Sequence, residues 1–492
     1  MSATQTNNPD EQRVQREPVR RQAVVLIHGI GEQRPMETLR SFVDAFFAFG
    51  SYHSKPDTIS NSYEMRRIKI RRAPVSQTCP FGTNQDWPES DFYEYYWAHQ
   101  MYGTRLTHIT SWLQRTMFSG ARAAFNGTLR DPAYHPRLKG LLLLAWLVAI
   151  AVVAGVALLA IYRPGVAAVT GASALGALAL WKTFVAPLLR SVLTDVVGDA
   201  ARYLDVSPQN VARRYDILRG GIDMLRKLHE QHDESDEPEE KDRRILYRYS
   251  RIVLVGHSLG SLIAYDILRH YWMEVNGRLR VDPEKLRAVE SFDGGEGRGE
   301  QHGVASSGDP EKFRRDQQQC WRDLNAWWRE KPEVTMMEAT KRGHARWLIT
   351  DLVTLGCPIT YGPLLLADSL DDFGKKIRLR ELLTCPPNRS QHMNAGRFSV
   401  SLSAEADVFD PFPILGHGAP FALTRWTNFY FTNDIVGGSL GNVLLGGIED
   451  VPLAPTGMRL RPDIAHISYW NEIRAAAAPS IARLKGILQD HP

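Results

Sequence analysis

Apolar positions along the chain fall into short runs of β character, longer stretches with helical spacing, and one region apolar throughout. Gln22 to Ile27 (QAVVLI) is a continuous apolar run ending in His-Gly, the pattern of a parallel strand buried on both faces. Met65 to Arg72 (MRRIKIRR) alternates and predicts another strand. Asp91 to Met101 (DFYEYYWAHQM) is aromatic and is expected to be helical. Val211 to His229 carries Ile217, Ile222, Leu225 and Leu228 at helical spacing. Arg251 to Val255 (RIVLV) predicts a strand and Ser261 to Trp272 a helix. Leu352 to Leu355 and Thr427 to Phe431 (TNFYF) predict further strands, and Ile473 to Leu488 a closing helix broken at Pro479. No internal repeat is present. Strands alternating with helices predict an α/β class with a mostly parallel sheet flanked by helices on both faces.

The polar stretches divide the chain. Residues 1–21 lack the apolar content needed to order themselves and have no apolar core of a signal peptide, so a disordered leader is expected. Residues 232–244 are a charge run, expected as a solvated loop, and 291–316, rich in glycine and charge, as a mobile insertion.

The apolar region alters this picture. Leu141 to Ile161 holds 21 uncharged residues, enough at ~1.5 Å each to cross roughly 30 Å of hydrocarbon. After Tyr162-Arg163-Pro164-Gly165 comes a second stretch, Val166 to Leu189, rich in Ala and Gly and interrupted by Lys182. Ala167 with Gly171 and Ala172 with Gly176 would let two helices approach closely in lipid. A transmembrane helical hairpin over 138–190 is therefore expected, the plainer alternative being a buried helical hairpin or a hydrophobic lid. It would interrupt one domain, made of 22–137 and 191–492. Arg130, Arg137 and Lys139 precede the pair and Arg190 and Arg202 follow it, against Arg163 alone in the turn. That asymmetry places both soluble parts in the cytoplasm.

Charge and cysteine usage narrow the classes. The 492 residues carry 59 Lys and Arg against 55 Asp and Glu, a formal charge of +4 with no basic stripe, so a nucleic-acid partner is not expected. The four cysteines (Cys79, Cys320, Cys357, Cys385) are far apart, with no CxxC pair, and predict neither a zinc site nor a disulfide framework. No metal or other cofactor is expected.

The chemistry lies in two glycine-rich motifs. Gly256-His257-Ser258-Leu259-Gly260 fits G-x-S-x-G between a β-branched strand and a helix, the setting a nucleophile elbow needs. Such a turn strains the serine backbone and holds its hydroxyl at a helix N-terminus, where developing negative charge is favoured. His28-Gly29-Ile30-Gly31 follows the first strand and can present backbone donors to an oxyanion. The expected donors are the amides of Leu259 and Ile30, and His28 itself is expected to be structural.

The order HGIG, then GHSLG opening SLIAYD, resembles lipase-like serine esterases of the α/β-hydrolase superfamily. Leu355-Gly356-Cys357-Pro358 and Trp426 to Gly437 are similar to the strand ends that follow the elbow there, except that Cys357 stands where such enzymes often have Ser. The resemblance covers separated blocks and excludes the hairpin. It implies the α/β-hydrolase fold and the chain order Ser, acid, His. Asp434, just past TNFYF, is the expected acid; its rivals are Asp407 and Asp410 in a proline-rich loop and Asp351, which precedes its strand. His466, in a late loop before the closing helix, is the expected base. His417 would break the order, and His491 lies in the tail. Ser258, His466 and Asp434 would then act as nucleophile, general base and orienting acid.

The expectation is a membrane-tethered serine hydrolase that binds the bilayer and cleaves carboxylic esters, lipids among them. Amidase or thioesterase chemistry by the same triad, or a catalytically silent membrane scaffold with a hydrolase shell, are the alternatives.

Overall fold

The computed structural model describes residues 21–29, 34–47, 52–60, 62, 64–70, 87–101, 203–204, 208–230, 248–292, 309–330, 346–367, 369–388, 398–400, 413–434, 436–455, 462–470 and 479–490. In chain order the main elements are β1 (Arg21–Ile27), α1 (Glu37–Phe46), β2 (His53–Pro56), β3 (Arg66–Ile70), β4 (Glu89–Tyr95), α2 (Pro208–Glu230), β5 (Arg251–His257) and α3 (Leu259–Val275). There follow α4 (Pro283–Glu290), α5 (Pro310–Glu330), β6 (Ile349–Leu355), α6 (Leu370–Arg378), β7 (Arg425–Phe431), β8 (Glu449–Leu453), α7 (Pro462–Ile467) and α8 (Pro479–Gln489).

Eight strands form one sheet in the order β8-β7-β6-β5-β1-β4-β3-β2. Every pairing from β8 through β4 is parallel, and β3 runs against both of its neighbours. The continuous apolar runs of the central strands follow from burial on both faces. In β1, Ala23, Val25 and Ile27 join one core, with Leu254 of β5, Leu225 of α2 and Trp272 of α3. Val24 and Leu26 join the other, with Phe42 of α1 and Ile487 of α8. The period-2 alternation of a strand therefore feeds two layers at once.

Two expected elements differ. Residues 91–101 are not a helix: 89–95 are β4, parallel to β1, followed by a 3₁₀ turn at Ala98–Met101. Tyr93 and Tyr95 enter one core and Phe92 the other, so the aromatic run serves a two-sided strand. Its carboxylates do not mark a solvated face, since Asp91 is buried against Arg67, Arg248 and Tyr249. Nor is all of 291–316 an insertion: 310–316 open α5, whose Phe313, Trp321 and Leu324 are core residues.

Asp351 lies inside β6 rather than before it, and α8 starts at Pro479. Residues 1–20, 232–244, 293–308 and 473–478 lie outside the described residues, as does the expected hairpin at 138–190. Among the described residues no helix is long and apolar enough to cross a membrane.

β1 is the switch point of the sheet order. β4, β3 and β2 lie on one side of it, and β5 and the later strands on the other. The crevice beyond the carboxyl ends of β1 and β5 is the place where an open parallel sheet holds ligands.

Candidate active site

Ser258 follows β5 directly and stands at φ 54°, ψ −127°, a region costly for any residue with a side chain. The surrounding structure holds it there. Its N–H donates to the Leu355 carbonyl at the end of β6 (2.8 Å), and its carbonyl accepts from Ser261 N–H (3.0 Å). A Cβ at Gly260 would collide with the carbonyl oxygens of Ile27 and His28, so only glycine lets α3 start this close to β1. The register pairs Ile27 with Gly256, bringing the two glycine-rich loops side by side.

Asp434 sits at the end of the β7 strand–turn, fully buried, and His466 is the penultimate residue of α7, a short helix rather than a loop. The side chains form a hydrogen-bonded chain. Ser258 Oγ lies 2.8 Å from His466 Nε2, and His466 Nδ1 lies 2.9 Å from Asp434 Oδ2. With Asp434 ionised, Nδ1–H donates to the carboxylate and Nε2 is left as acceptor for the serine hydroxyl. The three residues expected from the sequence are thus adjacent, though 208 and 32 positions separate the two bonded pairs.

Burial alone would raise the Asp434 pKa. The His466 hydrogen bond and charge, the Tyr469 hydroxyl and the Val436 amide outweigh it and hold the carboxyl below its usual range. Oδ1 accepts from Val436 N–H (2.8 Å), and Oδ2 also accepts from Tyr469 Oη–H (2.6 Å).

His257 and Tyr469 were not singled out by the sequence. The His257 ring stacks on His466 (5.3 Å between centroids), and its Nε2–H donates to the His466 carbonyl (2.9 Å). Burial, with His466 beside it, pushes its pKa down to about 3, so it stays neutral. The available signals were the middle residue of GHS and a buried tyrosine three positions after the histidine, whose hydroxyl needs a partner.

His28 is a structural residue. Its ring is fully buried and stacked on Trp97 (5.1 Å). Nδ1–H donates to the Gly29 carbonyl (2.8 Å) and Nε2 accepts from Trp97 N–H (3.2 Å). Burial lowers its pKa to about 4.

A Cβ on Gly29 would lie 2.9 Å from Ser258 Cβ, so this loop abuts the serine. Ile30 lies outside the described residues. Leu259, the first residue of α3, has no intrahelical acceptor for its N–H.

Among the rivals, Asp351 is bound to Arg425 (2.7 Å), His417 is exposed, and Asp407, Asp410 and His491 lie outside the described residues. Cys357 is buried, which pushes its thiol up to about 12 and leaves it a poor nucleophile. Among the described residues no group of three or more His, Cys, Asp or Glu could hold a metal ion.

A buried carboxylate, an imidazole and a serine hydroxyl in a strained turn at a switch point can move one proton and form one covalent bond. No family model, curated protein or solved structure matches the chain.

Proposed function

We propose that this chain is a membrane-tethered serine hydrolase of the α/β-hydrolase type that cleaves carboxylic esters, lipid esters among them. One observation carries the reading: the Asp434–His466–Ser258 hydrogen-bond chain, with Ser258 in a strained strand-to-helix turn. The chain order Ser, Asp, His and the parallel sheet with helices on both faces support the fold assignment.

His466 Nε2 takes the proton of Ser258 as Oγ bonds to the ester carbonyl carbon. The carbonyl oxygen becomes an oxyanion facing the amides of Leu259 and Ile30. Nε2 then gives the proton to the departing alkoxide, leaving an acyl-serine and an alcohol. Water repeats the sequence and releases the acid. Asp434 keeps Nδ1 protonated and stabilises the imidazolium.

The tether is the hairpin over 138–190. Met101 and Tyr203, which bracket 102–202, pack into the same core, in keeping with a segment that leaves and returns on one side of a membrane. Both flanks then face the cytoplasm.

A fluorophosphonate probe on the full chain in detergent or nanodiscs tests the chemistry. The wild type is expected to label and to hydrolyse a short p-nitrophenyl ester, and Ser258→Ala to do neither while remaining folded. Near-wild-type turnover in Ser258→Ala removes the proposal, and failure of the wild type to label favours the silent scaffold.

A further inference from the structure

We infer that Tyr469 is a positioning residue of this site: its hydroxyl holds Asp434 in the orientation that serves His466 and tempers how strongly that carboxylate attracts the His466 proton. The inference rests on the triad reading above.

Asp434 has two oxygens and, among the described residues, three protein donors. Oδ1 takes the Val436 amide, while Oδ2 takes both His466 Nδ1–H and Tyr469 Oη–H. An ionised carboxylate only accepts, so each donor withdraws some electron density from the bond to the others. The Tyr469 hydroxyl is itself fixed. It accepts from the Phe431 amide (3.2 Å), the last residue of β7 and three before Asp434. The ring is buried, 5.0 Å from Phe431 and 5.7 Å from His257. Gly356, at φ 61° after β6, makes the space: a Cβ there would lie 2.8 Å from Tyr469 Cε2 and 3.0 Å from Asp434 Oδ2. A tyrosine needed only for packing would not require its oxygen to link the acid to its own strand.

Tyr469 reaches the reaction through Asp434, so a pH profile is the readout. Among the described residues, the other titratable groups facing this cluster are silent near neutrality. His28 is buried and His257 half-buried, both neutral with pKa values of about 4 and about 3, and Cys357 is pushed up to about 12. Tyr469 itself is raised well above its ordinary value, by burial first and then by Asp434. Removing its hydroxyl leaves Oδ2 with one donor. The carboxylate then holds imidazolium more strongly, so the acidic limb of the kcat/KM profile moves to higher pH.

The test is Tyr469→Phe in the full chain, assayed with a p-nitrophenyl ester across pH. The expected result is about a ten-fold loss of kcat with KM little changed, and an acidic limb raised by roughly half a pH unit. In an Asp434→Asn background the same substitution should cost less than about two-fold, because the partner it acts through is gone. Equal losses in both backgrounds, or an unmoved limb, overturn the inference.

A fluorinated tyrosine at 469 supplies the opposite perturbation if the Phe variant does not accumulate folded. A stronger donor should lower the limb, and a shift upward or none refutes the proposal. Failure here is distinct from failure of the hydrolase reading. If Ser258→Ala abolishes activity but Tyr469→Phe behaves as wild type, only the role of Tyr469 is lost.

Discussion

Replacing Asp434 by Asn keeps the side-chain shape and removes one charge, and the structure says what that charge does. Among the described residues the carboxylate has three partners, all donors: Val436 N–H on Oδ1, and His466 Nδ1–H with Tyr469 Oη–H on Oδ2. An amide has one oxygen and one NH₂. If the NH₂ replaces Oδ1, it faces the Val436 amide, and one buried donor goes unpaired at a cost of about 1–3 kcal/mol. If it replaces Oδ2, it faces His466 and forces Nδ1 to become the acceptor. Nε2 then carries the proton and cannot receive one from Ser258. In either orientation the imidazolium formed during attack loses its counter-charge. Two unit charges about 4 Å apart at an effective dielectric of about 20 attract by about 4 kcal/mol, close to a thousand-fold in rate. We therefore expect Asp434→Asn to lower kcat by about 10³, with weak activity remaining, and His466→Ala to leave almost none. The assay is steady-state hydrolysis of a p-nitrophenyl ester, with thermal melting to verify the fold. Retention of activity within ten-fold refutes the reasoning. If Asp407→Asn or Asp410→Asn is instead the crippling change, the acid is misassigned.

Stability should fall on mild acidification. His28 and His229 are buried and His257 is half-buried, and desolvation lowers them to about 4, about 3 and about 3, whereas in the unfolded chain they titrate near 6.5. Their contribution is complete above pH 6.5 and is lost as pH falls, because only the unfolded state takes up those protons. Glu94, raised to about 7 by burial, acts in the opposite sense between pH 4.5 and 7. The balance is about two protons, or roughly 3 kcal/mol per pH unit around pH 5–6. A urea midpoint unchanged between pH 7.5 and 5.5 contradicts this. For the membrane segment, Arg163→Cys should react with an impermeant thiol reagent only from the non-cytoplasmic side. Labelling only from the cytoplasmic side would make the apolar stretches a lid or core element.

The central sheet was legible where a strand is buried on both faces, because QAVVLI and RIVLV have no polar face to place elsewhere. That Ser258, Asp434 and His466 would lie together was legible because an elbow fixes its neighbours: a strand before, a helix after, and partners at later strand ends. Residues 91–101 were expected to be helical, but Asp91 and Glu94 are buried in a two-sided strand. Asp91 is paired by two arginines contributed from β3 and from just before β5, which no local pattern records. The charges of 310–316 similarly hid the first turns of α5, whose Phe313 faces the core while Glu311 and Lys312 remain exposed. Tyr469 and His257 were silent for another reason. Their roles depend on which atoms their polar ends reach, a property of the assembled site.

The long segment between β4 and β5 joins the described fold near the candidate site. The HGIG loop ends β1 and the serine follows β5, neighbours in the sheet, yet the chain visits β2, β3, β4 and α2 between them. Closing a longer loop costs only about 0.6 kcal/mol per doubling of its length, so the sheet tolerates a large segment between fixed ends. Those ends are firmly held. Trp97, stacked on His28, stands five residues before 102–202 begins, and Tyr203 donates to Asp266 of α3 (2.7 Å) just after it ends. Residues 102–202, which include the two apolar runs, therefore join the described fold near Trp97, the residue that supports the glycine loop next to Ser258. If the proposed hairpin spans a bilayer, a tether joined to the fold there would keep Ser258 close to the membrane and shorten the path of a lipid ester, so the proposed tether and the proposed lipid substrate would support each other.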